Sequence, residues 1–130
     1  MVTFANPPTV AAPAGAYSHL GIVPAGCELV FLSGQVGLRP DGSLPSTAAD
    51  QAQQVFANLG ALLASQGLSA RSIVKLSMFV VSGADIQAVR AARSHFMGDH
   101  RPTSTAVFVP QLVDPAWLVE VEAIAVKAAG

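Results

Sequence analysis

Two carboxylates interrupt an otherwise apolar run near the C-terminus, Val119-Glu120-Val121-Glu122-Ala123-Ile124-Ala125-Val126. In an extended chain, side chains alternate, so Glu120, Glu122, Ile124 and Val126 share one face and Val119, Val121, Ala123 and Ala125 the other. Glutamates about 7 Å apart on one face of a strand are costly to bury unless water, a donor or a ligand meets them. A strand end projecting into solvent is the alternative. A second set of polar or backbone-accessible positions falls at predicted strand ends: Tyr17, Ser33, Gly34 and Ser104. A phenol, two hydroxyls, a bare backbone and a carboxylate are the groups that orient a small polar molecule and activate a water.

Other chemistries find less support. His19, His95 and His100 are scattered, with no Cys or carboxylate at a recognised ligand spacing, so no metal is expected. Ser33, in Leu32-Ser33-Gly34-Gln35, lacks the flanking pattern of a hydrolase nucleophile and reads as a turn or backbone-bonding hydroxyl. The glycines are isolated, which excludes a phosphate-binding loop, and Cys27 has no basic neighbour to activate its thiol.

The elements that must position these groups follow from periodicity. Met1 to Ala14, with Pro7, Pro8 and Pro13, reads as an irregular arm. Tyr17–Val23 and Glu28–Val36 read as strands joined through Pro24-Ala25-Gly26, a hairpin signal. Thr47-Ala48-Ala49-Asp50 resembles a capping box, and Ala52, Val55, Phe56, Leu59, Leu62 and Leu63 then recur at helical spacing up to a stop at Gly67. Ile73–Val81 is a strand, Asp85–Met97 a helix ended by Gly98, and Thr103–Val109 and Trp117–Lys127 the last strands.

The order ββαβαββ predicts an α+β domain. Right-handed strand–helix–strand crossovers put both helices on one face of a single mixed sheet. The third strand is apolar on both sides, with Leu76, Met78 and Val80 on one and Phe79 and Val81 on the other. The face without helices should therefore meet another copy of the chain.

Composition agrees. Only 12% of the 130 residues are charged, against roughly 25% in a typical soluble domain, and mean hydropathy is +0.50. No apolar run approaches the ~20 residues of a membrane span. The net charge of −1 and the lack of a basic cluster leave no electrostatic footprint for nucleic acid. One cysteine excludes an internal disulfide, and the N-terminus lacks the basic start and apolar stretch of a secretory signal. The expectation is a single-domain cytoplasmic protein, residues 1–130, with the arm at 1–14.

Gly15-Ala16-Tyr17, Leu32-Ser33-Gly34-Gln35, Asp41-Gly42, Val74-Lys75 leading to Phe79-Val80, Arg101-Pro102 and the Val119–Val126 segment together resemble the Rid family, the reactive intermediate deaminases also called YjgF or RidA. The resemblance runs from about Pro13 to Lys127. It implies a chorismate-mutase-like α+β fold and a homotrimer with small-molecule clefts between subunits. It further implies hydrolysis of 2-imino and enamino acids to 2-keto acids and ammonia without metal or organic cofactor. Glu120 matches the family carboxylate that holds the attacking water, Tyr17 the cleft tyrosine, and Ser33 and Gly34 the wall near the ligand; Glu122 is taken as structural.

Three positions depart from that pattern. Ser104 stands where archetypal members carry the arginine that clamps the substrate carboxylate, Ala106 replaces a nearby cysteine, and Arg90 replaces an asparagine on the second helix. Serine supplies neither the charge nor the planar fork of a guanidinium. Three readings stay open. The first is a Rid-like hydrolase of another imine, enamine or related C–N substrate. The second keeps an anionic substrate and takes its cation from Arg90, Arg93 or Arg101. The third is a trimeric small-molecule-binding protein without turnover. A ribonuclease or translation inhibitor fits the charge pattern less well.

Overall fold

The computed structural model describes residues 1–129. Its elements run β1 (Thr3–Ala5), β2 (Leu20–Ile22), β3 (Glu28–Gln35), α1 (Ala48–Ser65), a 3-10 turn (Ala70–Ser72), β4 (Ile73–Val81), α2 (Ile86–Met97), β5 (Thr103–Val109) and β6 (Val119–Lys127). Four of the strands make one mixed sheet in the order β3-β6-β4-β5. β6 runs antiparallel to both its neighbours, and β4 runs parallel to β5.

The alternation in β6 sets the layers. Val119, Val121, Ala123 and Ala125 are all buried. They join Leu32, Leu76, Met78 and Val80 of the neighbouring strands in one core with Ala52, Val55, Phe56, Leu59 and Leu63 of α1 and Val89 and Met97 of α2. Both helices thus cover the same face. Leu62, which the helical spacing placed inward, is 41% exposed on the flank of α1. The Leu59–Leu63 pair already fills the sheet-facing stripe, and a residue between them points aside.

Helix ends match their local chemistry. Thr47 Oγ1 accepts from the Asp50 amide at 3.1 Å and Asp85 Oδ1 from Ala88 at 3.2 Å, each satisfying a free first-turn donor. Gly67 and Gly98 follow the two helices at φ +70° and +58°, values that cost glycine little.

The N-terminal third departs from the sequence expectation. The arm is not irregular throughout, because Thr3–Ala5 forms β1; and the strand read at Tyr17–Val23 shortens to β2, which pairs with β1 rather than with β3. No hairpin joins β2 to β3, and the four-stranded sheet is accompanied by a separate two-stranded ribbon. Gly21 explains the choice. A Cβ there would stand 2.9 Å from Val74 Cγ2 and 3.3 Å from the Phe4 ring, so the bare backbone lets the ribbon lie against the body of the protein. Val74 is presented there by a register shift between Ile73 and Lys75, a β-bulge that leaves two successive residues buried.

The opposite face of the sheet has no helix. It carries Leu29 and Phe31 of β3, 50% and 70% exposed, beside Ile124, Glu122 and Glu120 of β6 and Ser77 and Phe79 of β4. Among the described residues, no helix is long and apolar enough to cross a membrane.

Polar residues of α1 anchor the loops at one end of the sheet. The buried Gln51 donates from Nε2 to the Pro45 and Ala116 carbonyls at 2.9 and 3.1 Å, and its Oε1 accepts from the Leu118 amide at 2.9 Å. Gly37 packs on the Gln51 backbone, where a Cβ would lie 2.8 Å from Cα. Asn58 Nδ2 donates to the Val36 and Leu38 carbonyls. The chain leaving β3 and the chain entering β6 are thereby fixed to one helix. Gln51→Leu would orphan three backbone groups at once and should lower the thermal midpoint by about 10 °C. Calorimetry showing a change under 2 °C would remove Gln51 from this role.

Candidate functional site

Glu120 sits opposite Phe79 of β4, on the helix-free face and half-buried. Its carboxylate lies over β3 where that strand bulges. The register passes from Leu32 opposite Ala123 to Gln35 opposite Val121, leaving Ser33 and Gly34 as the irregular pair. Gly34 is required for this arrangement. A Cβ at that position would fall on the Glu120 carboxylate, displacing Oε2 and crowding Cδ and Cγ. The bulge therefore brings an exposed serine, a bare backbone and a carboxylate together, and such irregularities recur beside active sites. Glu122 is opposite Ser77 and exposed to solvent.

A second cluster lies on the other side of the sheet, at the β5 edge. There a cleft of about 820 Å³ opens between α2, β5 and residues 14–17, and it includes Tyr17, Arg90, Arg93, Ser104 and Ala106 in its lining. The floor is apolar, formed in part by Met78, Val80 and Ile86. Ser104 and Ala106 face this side because they pair with the core residues Leu76 and Met78 across the parallel β4–β5 ladder.

Hydrogen bonds tie the wall at residues 14–17 to its surroundings. The Tyr17 hydroxyl accepts from the Ala14 amide at 3.2 Å, and its ring meets His19 edge-on at 5.8 Å. Arg93 Nη2 donates to the Ala16 carbonyl at 3.1 Å. Ser18 bonds to the Arg101 and Pro102 carbonyls, joining the segment to the start of β5.

The three arginines proposed from sequence separate here. Arg90 and Arg93 line the cleft. Arg101 instead donates to the Gly98 and His100 carbonyls beyond the end of α2, where a cation complements unpaired helix carbonyls. Arg93 is half-buried; desolvation, then the like charge of Arg101, push its guanidinium below its ordinary value. The family resemblance points to Arg90 first, at the position of the archetypal asparagine, and helical spacing alone does not separate it from Arg93. Only the fold shows that Arg90 is exposed while Arg93 lies under the arm.

The remaining candidates have local duties. The ring nitrogens of His19 and His100 pair with the Ala11 and Ile73 carbonyls, at 2.6 and 2.8 Å. Cys27 is half-buried in the turn before β3. The sequence-predicted site residues thus form two groups within one chain: Glu120, Ser33 and Gly34 on the open sheet face, and Tyr17, Arg90, Ser104 and Ala106 in the edge cleft.

Comparison with known proteins supplies the kinship. A family model described as Endoribonuclease L-PSP matches residues 8–127. A RutC family protein of Haemophilus influenzae is 35% identical over 124 residues, covering 92% of this chain and 94% of that protein. The 2-iminobutanoate/2-iminopropanoate deaminase of Escherichia coli K12 is 33% identical over 104 residues, covering 77% of this chain and 80% of the enzyme. Among solved structures, the Rid-family protein YyfB of Yersinia pestis superposes with a TM-score of 0.83 at 27% identity, covering 95% of this chain and 97% of that one. The ribbon, the mixed sheet and the paired helices are thus a shared architecture, and the chain belongs to the Rid/YjgF family.

Proposed function

We propose that the protein is a deaminase of reactive imines or enamines in which Glu120 holds and deprotonates the attacking water. The observation that carries this reading is the seat of Glu120, an acceptor over the bare Gly34 backbone with no helix covering it. Relatives named for 2-iminobutanoate and 2-iminopropanoate deamination support the reaction class.

The chemistry asks little more of the protein. A protonated imine carbon is electrophilic, so a positioned water adds to it while the carboxylate accepts a proton. The tetrahedral carbinolamine then takes that proton on nitrogen, and its C–N bond breaks to release ammonia while the freed carboxylate accepts the hydroxyl proton, leaving a carbonyl; that proton passes to solvent or to the departing ammonia. Water supplies the carbonyl oxygen, and no electrons are exchanged with an outside partner.

The two residue groups lie on opposite sides of one sheet, so a complete site calls for a second copy. Leu29 and Phe31 on the open face, and Phe108 at the β5 edge with 58% exposure, supply apolar area for such a contact. The edge cleft carries arginines and the open face carries Glu120 and Glu122, which is electrostatic complementarity between different patches. Different patches make a heterologous contact, which closes into a ring when its rotation is one third of a turn. The homotrimer implied by the family resemblance is such a ring.

Three measurements test this. Light scattering at micromolar concentration should give a mass three times that of the chain; a monomer ends the shared-site reading. With 2-iminobutanoate generated in situ by an amino acid oxidase, Glu120→Gln should lower kcat at least a hundredfold with the assembly intact. Undiminished turnover would take Glu120 out of the mechanism. Gly34→Ala should push the carboxylate off β3 and cost about 10- to 100-fold in kcat, and a crystal structure of the variant with Glu120 unmoved would refute the packing argument.

A further inference from the structure

Arg93 is a half-buried cation with unused capacity. A guanidinium has five N–H donors, and the bond from Nη2 to the Ala16 carbonyl engages one of them. Among the described residues the one ion pair is Arg71–Asp99, at 2.7 Å, and it lies outside the cleft lining. No acidic residue contributes to that lining, whereas Arg90 stands one helical turn before Arg93. A second guanidinium and the nearby Arg101 make the site more positive still. Two cations that their own chain leaves without a counter-charge in the cleft, one of them half-buried, describe a seat for an anion.

The placement of that charge restricts what binds. Both guanidinia come from α2, while the β5 wall offers the neutral Ser104 hydroxyl and Ala106. Between the walls the floor is Met78, Val80 and Ile86. An acid of three or four carbons fills on the order of 100 Å³, a few times the share of one water, well below the 820 Å³ open in a single chain, part of which the neighbouring copy takes in the proposed ring.

We infer that Arg93, assisted by Arg90, binds the carboxylate of a ligand whose acid group is separated from its reacting carbon by an apolar spacer. This specifies the substrate class of the proposed deaminase and rests on that reading for its reacting end. The ligand is a medium-chain imino or oxo acid with a remote carboxylate. Its methylenes cross the Met78–Val80 floor, each adding about fourfold to affinity where fully buried. Its carbonyl or imine end lies toward Ser104.

Equilibrium binding to the intact protein tests the inference without requiring turnover. The probes are 5-oxohexanoate, its neutral primary amide, and pyruvate, followed by calorimetry or ligand-observed NMR. The keto acid should bind at least tenfold tighter than either of the others. Arg93→Gln removes the charge but keeps a donor for the Ala16 carbonyl. It should erase the acid-over-amide preference while leaving affinity for the amide unchanged, and Arg93→Lys should retain part of the preference. Pyruvate binding as tightly as 5-oxohexanoate, or the preference surviving Arg93→Gln, overturns the inference. So does equal loss of acid and amide in the Gln variant, because that marks Arg93 as a mere strut for the arm. Hydrolysis of imines without this binding pattern counts against Arg93 alone; the pattern without hydrolysis counts against the deaminase reading alone.

Discussion

The register of β6 is the constraint on which the rest depends. This strand is paired on both sides, to β3 and to β4, and its inward residues Val119, Val121, Ala123 and Ala125 are buried. A slip of one residue would turn that apolar row outward and force Glu120 and Glu122 into the core, which the cost of burying carboxylates forbids. The face that carries Glu120 is thus fixed by the hydrophobic effect acting on its neighbours. The bulge at Ser33–Gly34 then makes the local adjustment that lets the carboxylate rest against β3. Gln51 secures the entry to β6 through the Leu118 amide, two residues before the glutamate.

Much of this was legible from residues alone, and what was not had specific causes. Strand and helix periods located β3, α1, β4, α2 and β6, because each contributes buried residues to a single core, and β5 by its run of β-branched and apolar residues, although none of them is fully buried. The family resemblance, with Glu120 and Gly34 among its matched residues, was legible for the same reason that β6 was: short motifs sit on strongly patterned strands. The ribbon was missed because Thr3–Ala5 is too short to show alternation, and its pairing depends on Gly21 meeting Phe4 and Val74. The anchoring by Gln51 and Asn58 was hidden as well. On a helix their types read as solvated positions, and only tertiary packing supplies the loop carbonyls that they meet. Arg90 and Arg93 could not be ranked from spacing, because three residues along a helix leave both on one side. The Ala16 carbonyl that holds one of them belongs to a segment that the sequence read as leading into a strand, and only the fold brings it to α2.

Sparse charge gives the remaining ionic groups unusual weight. With 12% of residues charged, several acids and bases have identifiable work: Asp50 lies in the first turn of α1 and Asp85 caps α2, Arg101 meets carbonyls past α2, and Arg71 pairs with Asp99 in solvent. The Asp99 carboxyl is held below its usual range, chiefly by the hydrogen bond and charge of Arg71. The charges left over are instructive by their location. Arg90 and Arg93 concentrate at the edge cleft, where no acidic residue joins the lining, and Glu120 and Glu122 on the open sheet face, where Lys75 of β4 lies diagonal to Glu122 and donates to Thr105 Oγ1.

That separation bears on how a family known for clamping its substrate at β5 could tolerate Ser104. Removing a fixed guanidinium from a strand costs both charge and orientation, and serine restores neither. A cation on the facing helix restores the charge at a different place in the cleft, and the preferred ligand must change with it. The sheet still determines where the Glu120 carboxylate stands, because β6 cannot shift without unburying its core face. In the proposed reading, specificity instead rests on the exposed side of α2 and on residues 14–17, which are tied to each other through the Arg93–Ala16 bond. The division of labour proposed for the site is therefore physical: Glu120 is built into the most constrained strand, whereas Arg90 and Arg93 project from a helix surface that can vary without cost to the core.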